Sequence, residues 1–317
     1  MELTAEQLQA DSALLQLGRR LIADGYTFTC VTPVTQQRNL ERTPANQSHS
    51  LRDVFGWNRS FFPGNLSPDE LKQMWLANIL DKHGSQLRST VRFSTLGDWL
   101  FLHSGYPTLS HDAVFFGPDS YRFAHVIQAH LQRDAGEINH AIEIGCGTGI
   151  GAILIATARR HAQVTAVDIN DLALRYTAIN VALAELANVS IEHSDVLHGI
   201  TGTFDLIVCN PPYMLDAGER TYRHGGGTLG EGLALRIVEE SLERLAAGGT
   251  LLLYSGSAIV DGQDPFYNAV KSLLQSSEWV WSYQEVDPDV FGEQLLEPGY
   301  QYVERIAAVS LSVTRRK

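Results

Sequence analysis

Asn210-Pro211-Pro212-Tyr213 directly follows the apolar run Phe204-Asp205-Leu206-Ile207-Val208-Cys209 and is the most specific chemical signal in the chain. Two prolines at the end of a buried strand fix the backbone and remove donors. The Asn210 side-chain oxygen and the Pro211 carbonyl can then both accept hydrogen bonds from one planar –NH2 group. Holding both hydrogens directs the lone pair of that nitrogen toward an electrophilic methyl carbon, and the Tyr213 ring can stack on the flat group. An amide or aromatic amine is a poor nucleophile. It loses its proton as or after it gains the methyl, so no base need act first. A bare Asn-Pro-Pro would be only a turn after a strand, so the reading depends on what surrounds it.

The surroundings include a second signal. Glu143-Ile144-Gly145-Cys146-Gly147-Thr148-Gly149 sits where a strand hands over to a helix. Glycines there let a ligand approach the backbone, and the helix start offers free N–H groups. The spacing is G-x-G-x-G, whereas the dinucleotide fingerprint is G-x-G-x-x-G. Asp168 ends the next strand, where a carboxylate can accept both hydroxyls of a ribose, and Ile169 beside it can pack on an adenine face. Asp195, in Ser194-Asp195-Val196, follows the third strand and can accept an exocyclic adenine amine. Each acid alone would be a cap or turn residue. Their order along the chain makes them a candidate cofactor set.

These positions require a βα alternation. From His140 the chain predicts strands at 141–144, 164–167, 189–191, 204–209 and 250–254, with helices at 151–160, 172–186 and 233–245. Short apolar strands between amphipathic helices imply a parallel sheet covered on both faces. Trp279 to Glu285 and Ile306 to Val313 predict two further strands, with an antiparallel edge. The expectation is an α/β, Rossmann-like, seven-stranded, mostly parallel sheet with an antiparallel last strand, occupying residues 110–317.

Residues 1–109 predict a mainly helical domain with a β-hairpin. Leu3 to Ile22 has amphipathic spacing, 32–50 reads as a loop containing Pro33 and Pro44, and Leu51 to Trp57 reads as a helical piece. Ser67-Pro68-Asp69-Glu70 predicts a capped helix running to about Leu80 or Asp81, ended by Gly84. Two strands near 90–94 and 98–103 turn at Gly97. Helices followed by a hairpin fit either a winged-helix arrangement or a helical cap with a hairpin strut.

The 317 residues carry a net charge of −12, so no strong basic field is available to hold a nucleic-acid backbone. The one dense basic run is Thr314 to Lys317, read as a solvated end. Cys30, Cys146 and Cys209 are few and lack metal-ligand spacing, which fits a reducing compartment. No long apolar run or leader pattern is seen, so a cytoplasmic chain without a membrane span is expected. No metal is implied. His103, His111, His125 and His224 read as structural or exposed, and Tyr222-Arg223-His224 lies in a Gly-rich loop that could close over the site.

From about Val114 to Tyr254 the chain resembles the class I methyltransferases with an Asn-Pro-Pro-Tyr motif, and most of all the HemK/PrmC protein-glutamine type. The likeness rests on Glu143 to Ile150, Val164 to Asn170, Asp195, and Phe204 to Tyr213. It extends weakly to Arg223 to Gly227 and Leu245 to Gly249. The resemblance implies S-adenosyl-L-methionine as cofactor and S-adenosyl-L-homocysteine as product. The implied cofactor set is Glu143, Gly145, Cys146, Gly147, Gly149, Asp168, Ile169, Asp195, Val196 and Asn210, and Asn210, Pro211, Pro212 and Tyr213 would hold the target nitrogen. Where the glutamine methyltransferases have Arg-Pro-Asp/Glu-Thr, this chain has Phe116-Gly117-Pro118-Asp119-Ser120. Residues 1–109 do not match their release-factor-binding bundle, and 287–302 is an insertion between the last two strands. The expected acceptor is a protein glutamine or a small molecule bearing a planar nitrogen, with residues 1–109 recognising substrate or partner. Alternatives are an adenine-N6 methyltransferase of RNA or DNA and a cofactor-holding module without catalysis. An NAD oxidoreductase fails on the glycine spacing. The sequence is silent on oligomeric state.

Overall fold

In the computed structural model, which describes residues 4–42, 50–133, 136–216 and 218–317, the chain divides into two compact units. The first begins with α1 (Ala5–Ala23), opened by a capping box in which Thr4 and Gln7 satisfy each other's backbone N–H. Its apolar stripe buries Leu14, Leu17 and Leu21. The expected start at Leu3 lies outside the described residues.

The loop expected at 32–50 is instead helix α2 (Pro33–Arg42) over its first part. Thr32 accepts from Thr35 N at 3.3 Å through its hydroxyl and from Gln36 N at 2.9 Å through its carbonyl, so Thr32-Pro33 is a helix start and not a loop signal. Pro44 lies outside the described residues. Arg52–Gly56 forms one π-helical turn within the helical piece expected there. The capping box at Ser67 and Glu70 opens α3 (Pro68–Leu76). That helix stops earlier than its spacing predicts because Asn78 adopts a left-handed conformation, φ 54°. Gly84 then turns a hairpin of β1 (Leu80–His83), which is mostly exposed, and β2 (Gln86–Ser89), which buries alternate residues. The expected hairpin at Gly97 is β3 (Val91–Leu96) with β4 (Trp99–Ser104), buried along most of both strands. This unit also takes in residues 114–121 and 175–186. Asn180 shows why the latter belong, since its side chain accepts from Leu102 N at 2.7 Å and donates to Leu102 O at 3.1 Å.

A further helix, α4 (Pro118–Arg133), precedes the sheet of the second unit. Its elements are β5 (His140–Ile144), α5 (Ile150–Ala158), β6 (Gln163–Asp168), α6 (Asp171–Leu183), β7 (Val189–His193), β8 (Phe204–Cys209), α7 (Gly232–Arg244), β9 (Leu245–Ile259), α8 (Pro265–Leu273), β10 (Trp279–Asp287) and β11 (Arg305–Arg315). Seven strands pair in the order β10-β11-β9-β8-β5-β6-β7. The β5–β6, β6–β7, β5–β8 and β8–β9 pairs are parallel, and β11 lies antiparallel between β9 and β10. This is the Rossmann-like sheet that the alternation predicts; α4 and α8 are helices that the sequence reading passed over. Buried Ile142, Ile144, Val167, Ile207, Leu251, Leu253 and Val309 form the core of the sheet, with Ile237 and Val238 from α7 and Phe266 and Val270 from α8.

The topology also selects a place for chemistry. The chain runs outward from β5 to β6 and β7, then returns to β8 on the other side of β5. Strand order therefore reverses between β5 and β8, and ligands of open α/β sheets bind beyond the carboxyl ends at such a reversal. Among the described residues no helix is long and apolar enough to cross a membrane.

Candidate active site

Register brings the separate motifs together. Ile144 pairs with Val167 on β6 and with Cys209 on β8, so Gly145, Asp168 and Asn210 leave the sheet side by side. The glycine turn has φ 64° at Gly145, 54° at Gly147 and 78° at Gly149, the last being the N-cap of α5. A Cβ at Gly145 or Gly147 would meet no atom within 4 Å, so the turn borders open space at these two positions.

Two carboxylates shape this turn. Glu143 is buried beneath α5, and its oxygens accept from Gly151 N and Ala152 N, each at 2.8 Å. These are free amides of the first turn of the helix, which a carboxyl oxygen can satisfy in either protonation state. Glu143 therefore positions the helix that carries the glycine turn. Burial pushes its pKa up to about 8, against the pull of the Ala152 and Gly151 amides and with a smaller upward push from Asp168. Between 4.5 and about 8 the folded chain then binds more protons than the unfolded one, so this stabilisation is full below 4.5 and is lost as pH rises through 8. Urea unfolding at about pH 5 and about pH 9 is expected to show a loss of stability in the wild type that Glu143→Gln lacks. Equal losses in both proteins would refute the assignment.

Asp168 Oδ2 accepts from Gly147 N at 2.9 Å and Oδ1 from Asn170 N at 2.9 Å. Each oxygen keeps a lone pair for a ligand hydroxyl. Burial raises its pKa, while those two amides lower it. Ile169 stands 52% exposed, an apolar face beside the carboxylate. Asp195 is exposed and ion-paired with Arg236 at 2.8 Å, a partner 41 residues away that the sequence did not suggest. Val196 takes a left-handed φ of 54°, rare for a β-branched residue. The Ser194 hydroxyl lies 2.9 Å from the Val196 and His198 carbonyls and braces this turn. The Val196 side chain and Cys146 are buried, and Cys146 N donates to Val167 O at 2.9 Å. Both side chains are thus packed inside the protein, beside the residues that the site exposes.

The Asn-Pro-Pro-Tyr segment leaves β8 as expected. Among the described residues no hydrogen bond engages the Asn210 side chain or the Pro211 carbonyl. Pro211 is buried and Pro212 half-buried. Tyr213 lies against Gly256 of β9, where a Cβ would come 2.2 Å from its ring. The chain beyond it is tied down: Met214 N donates to Arg223 O at 3.0 Å and Gly225 N to Met214 O at 2.8 Å. Asp216 is bonded to Arg220 and lies 3.6 Å from Arg223, and the Arg220 bond holds its pKa down at about 2.

Of the histidines, His193 reaches the site, pairing in register with Asp168 and meeting Ile169 O through Nε2 at 3.0 Å, whereas the four singled out in the sequence are placed elsewhere. His103 is buried in the first unit, where Nδ1 donates to Ser104 O and Ser94 meets Nε2, and burial pushes its pKa well down. His224 Nδ1 accepts from Asp216 N, His111 contacts Thr221, and His125 is exposed. Three residues of the insertion were missed. Phe291 meets Tyr213 edge-on at 6.1 Å, Gln294 donates to Leu215 O at 2.9 Å, and Tyr300 accepts from Leu215 N at 2.8 Å. Nothing in their local sequence signals these contacts.

Residues 108–260 match the family model described as the methyltransferase small domain. The chain is 30% identical over 189 residues to a release factor glutamine methyltransferase of Lactococcus lactis, covering 56% of this chain and 65% of that one. A ribosomal protein uL3 glutamine methyltransferase of Bordetella pertussis is 35% identical over 136 residues, 39% of this chain and 46% of its own length. A putative protein N5-glutamine methyltransferase of Methanocaldococcus jannaschii is 32% identical over 139 residues, 42% of this chain and 68% of that one. The chain thus spans about half to two thirds of the length of these relatives. The matched stretch holds the glycine turn, Asp168, Asp195 and Asn210 to Tyr213, and through it the chain belongs to the HemK/PrmC-like class I methyltransferases.

Proposed function

We propose that the chain is an S-adenosylmethionine-dependent N-methyltransferase whose acceptor is a glutamine side-chain amide of a protein. The observation that carries this is the pair of uncommitted acceptors, the Asn210 side-chain oxygen and the Pro211 carbonyl, beside the glycine turn at the reversal of strand order. The site fits the cofactor: the turn borders open space at Gly145 and Gly147, Asp168 keeps lone pairs, and Ile169 exposes an apolar face. Gly145, Gly147 and Gly149 would admit it, Asp168 would hold its ribose, and Asp195 and the Val196 backbone its adenine. S-adenosylmethionine, when bound, supplies an electrophilic methyl. The rest of the chemistry belongs to the protein. Asn210 and Pro211 accept both hydrogens of the amide and so orient its lone pair out of the amide plane. Polarisation of those N–H bonds increases the electron density at nitrogen as the new bond forms, and Tyr213 limits the tilt of the group. Residues 1–109 are the part that recognises the acceptor protein.

An adenine amine offers the same two hydrogens, but a chain of net charge −12 lacks the field that a phosphate backbone needs. Labelled S-adenosylmethionine incubated with cell extract is expected to mark protein, as N5-methylglutamine, and not nucleic acid or small molecules. Label in nucleic acid would reverse the choice. Calorimetry with the chain is expected to detect S-adenosylmethionine and not NAD, and tight NAD binding would overturn the cofactor assignment.

A further inference from the structure

Segment 288–302, between β10 and β11, grips the chain that leaves the Asn-Pro-Pro-Tyr motif. Val290 N donates to Ile306 O at 2.8 Å and anchors the segment on β11. The next residue, Phe291, has φ 55°, a left-handed conformation that costs a bulky side chain and turns its ring away from the strand. That ring meets the Tyr213 ring edge-on at 6.1 Å, and the Arg223 guanidinium lies over it at 5.9 Å. Since Tyr213 also rests on Gly256, two fixed surfaces set its tilt. Gln294 is 3% exposed, and its amide bridges Leu215 O and the Arg223 guanidinium. Tyr300 is 2% exposed, and its hydroxyl accepts from Leu215 N at 2.8 Å and faces the Met214 sulfur at 3.7 Å. The Gln294 amide and the Tyr300 hydroxyl are both matched and so hold one geometry, although among the described residues Arg223 Nε beside them has no hydrogen bond.

We propose that segment 288–302 is an acceptor-side clamp, in which Phe291 is a specificity-determining wall beside Tyr213 and Gln294 and Tyr300 are positioning residues. The clamp rests on the reading that Asn210 to Tyr213 hold the target amide. It acts on acceptor binding and leaves the cofactor side, built from β5, β6 and β7, untouched. Glycine at position 291 removes the ring while relieving the left-handed backbone, so Phe291→Gly separates loss of the wall from loss of the fold.

The test compares the full-length wild type with Phe291→Gly, Phe291→Tyr, Tyr300→Phe and Leu296→Ala. Leu296 is 89% exposed in the same segment and serves as the control. The readouts are S-adenosylmethionine affinity by calorimetry, and kcat and KM toward purified release factor and purified uL3. Phe291→Gly is expected to raise the acceptor KM about tenfold and Tyr300→Phe about threefold, with kcat and cofactor affinity within about twofold. Phe291→Tyr restores the wild-type KM, and Leu296→Ala never loses it. A merely structural role would lower cofactor affinity and kcat together, and that pattern overturns the clamp. So does a Phe291→Gly enzyme with the wild-type KM. A wild type that binds the cofactor and methylates neither protein overturns the glutamine reading, and the clamp with it.

Discussion

Asn210→Ala is expected to keep S-adenosylmethionine affinity within about threefold and to lose about 10²- to 10³-fold in methyl transfer. The asymmetry follows from where Asn210 sits. The residue before it, Cys209, pairs with Ile144, which leads directly into the glycine turn, but among the described residues the Asn210 side chain makes no hydrogen bond. Removing it deletes one of two acceptors for the target amide and leaves the other, the Pro211 carbonyl, in place. The amide then binds through one hydrogen and its lone pair is no longer aimed. Aligned geometry and matched polar groups account for most of what such a site can contribute, because no base need act before the attack and the nitrogen gives up its proton to solvent as or after it gains the methyl. Single-turnover kinetics with saturating cofactor, alongside calorimetry, checks both halves. A variant that transfers methyl at the wild-type rate would remove Asn210 from the mechanism. One that loses cofactor affinity in equal measure would make it a cofactor ligand only.

Asp168→Ala produces the opposite pattern. Two hydrogen bonds to a charged acceptor are worth about 1.5–3 kcal/mol each, so cofactor affinity is expected to fall by about 10²- to 10⁴-fold. Part of that loss is indirect. Asp168 also accepts from Gly147 N and Asn170 N, so its removal loosens the turn that the cofactor enters. Asp168→Asn keeps one acceptor oxygen and is expected to fall between wild type and alanine. Calorimetry gives the affinities, and thermal unfolding separates loss of ligand from loss of fold. The β6 core, with Val164, Ala166 and Val167 buried, is untouched by either change. An alanine variant with wild-type affinity would displace Asp168 from the ribose.

On the proposed reading, the two effects divide the site into a cofactor side, around Asp168, and an acceptor side, around Asn210. Both sides converge at the reversal between β5 and β8, and this explains why motifs widely separated in the chain can serve one reaction.

How much of this was legible in the sequence depends on the range of the interactions. Periodicity, glycine spacing and strand-end positions are local, and from them the chain by itself determined the sheet, the turn at Gly145 to Gly149, Asp168 and the Asn210 to Tyr213 motif. Local signals failed where competing ones overlapped: Thr32-Pro33 read as a loop although it opens α2, and Asn78 ended α3 before its apolar spacing ran out. Only the tertiary structure decided the roles of residues within the motifs. Glu143 reaches α5 through Gly151 N and Ala152 N, contacts eight and nine residues along the chain that the motif itself does not signal. Asp195 acquired Arg236, and the motif's exit acquired Phe291, Gln294 and Tyr300, through contacts spanning 41 to 85 residues of chain. Such contacts leave no spacing pattern, because they are fixed by how β8, β9 and β11 stack side by side and not by any period along one element.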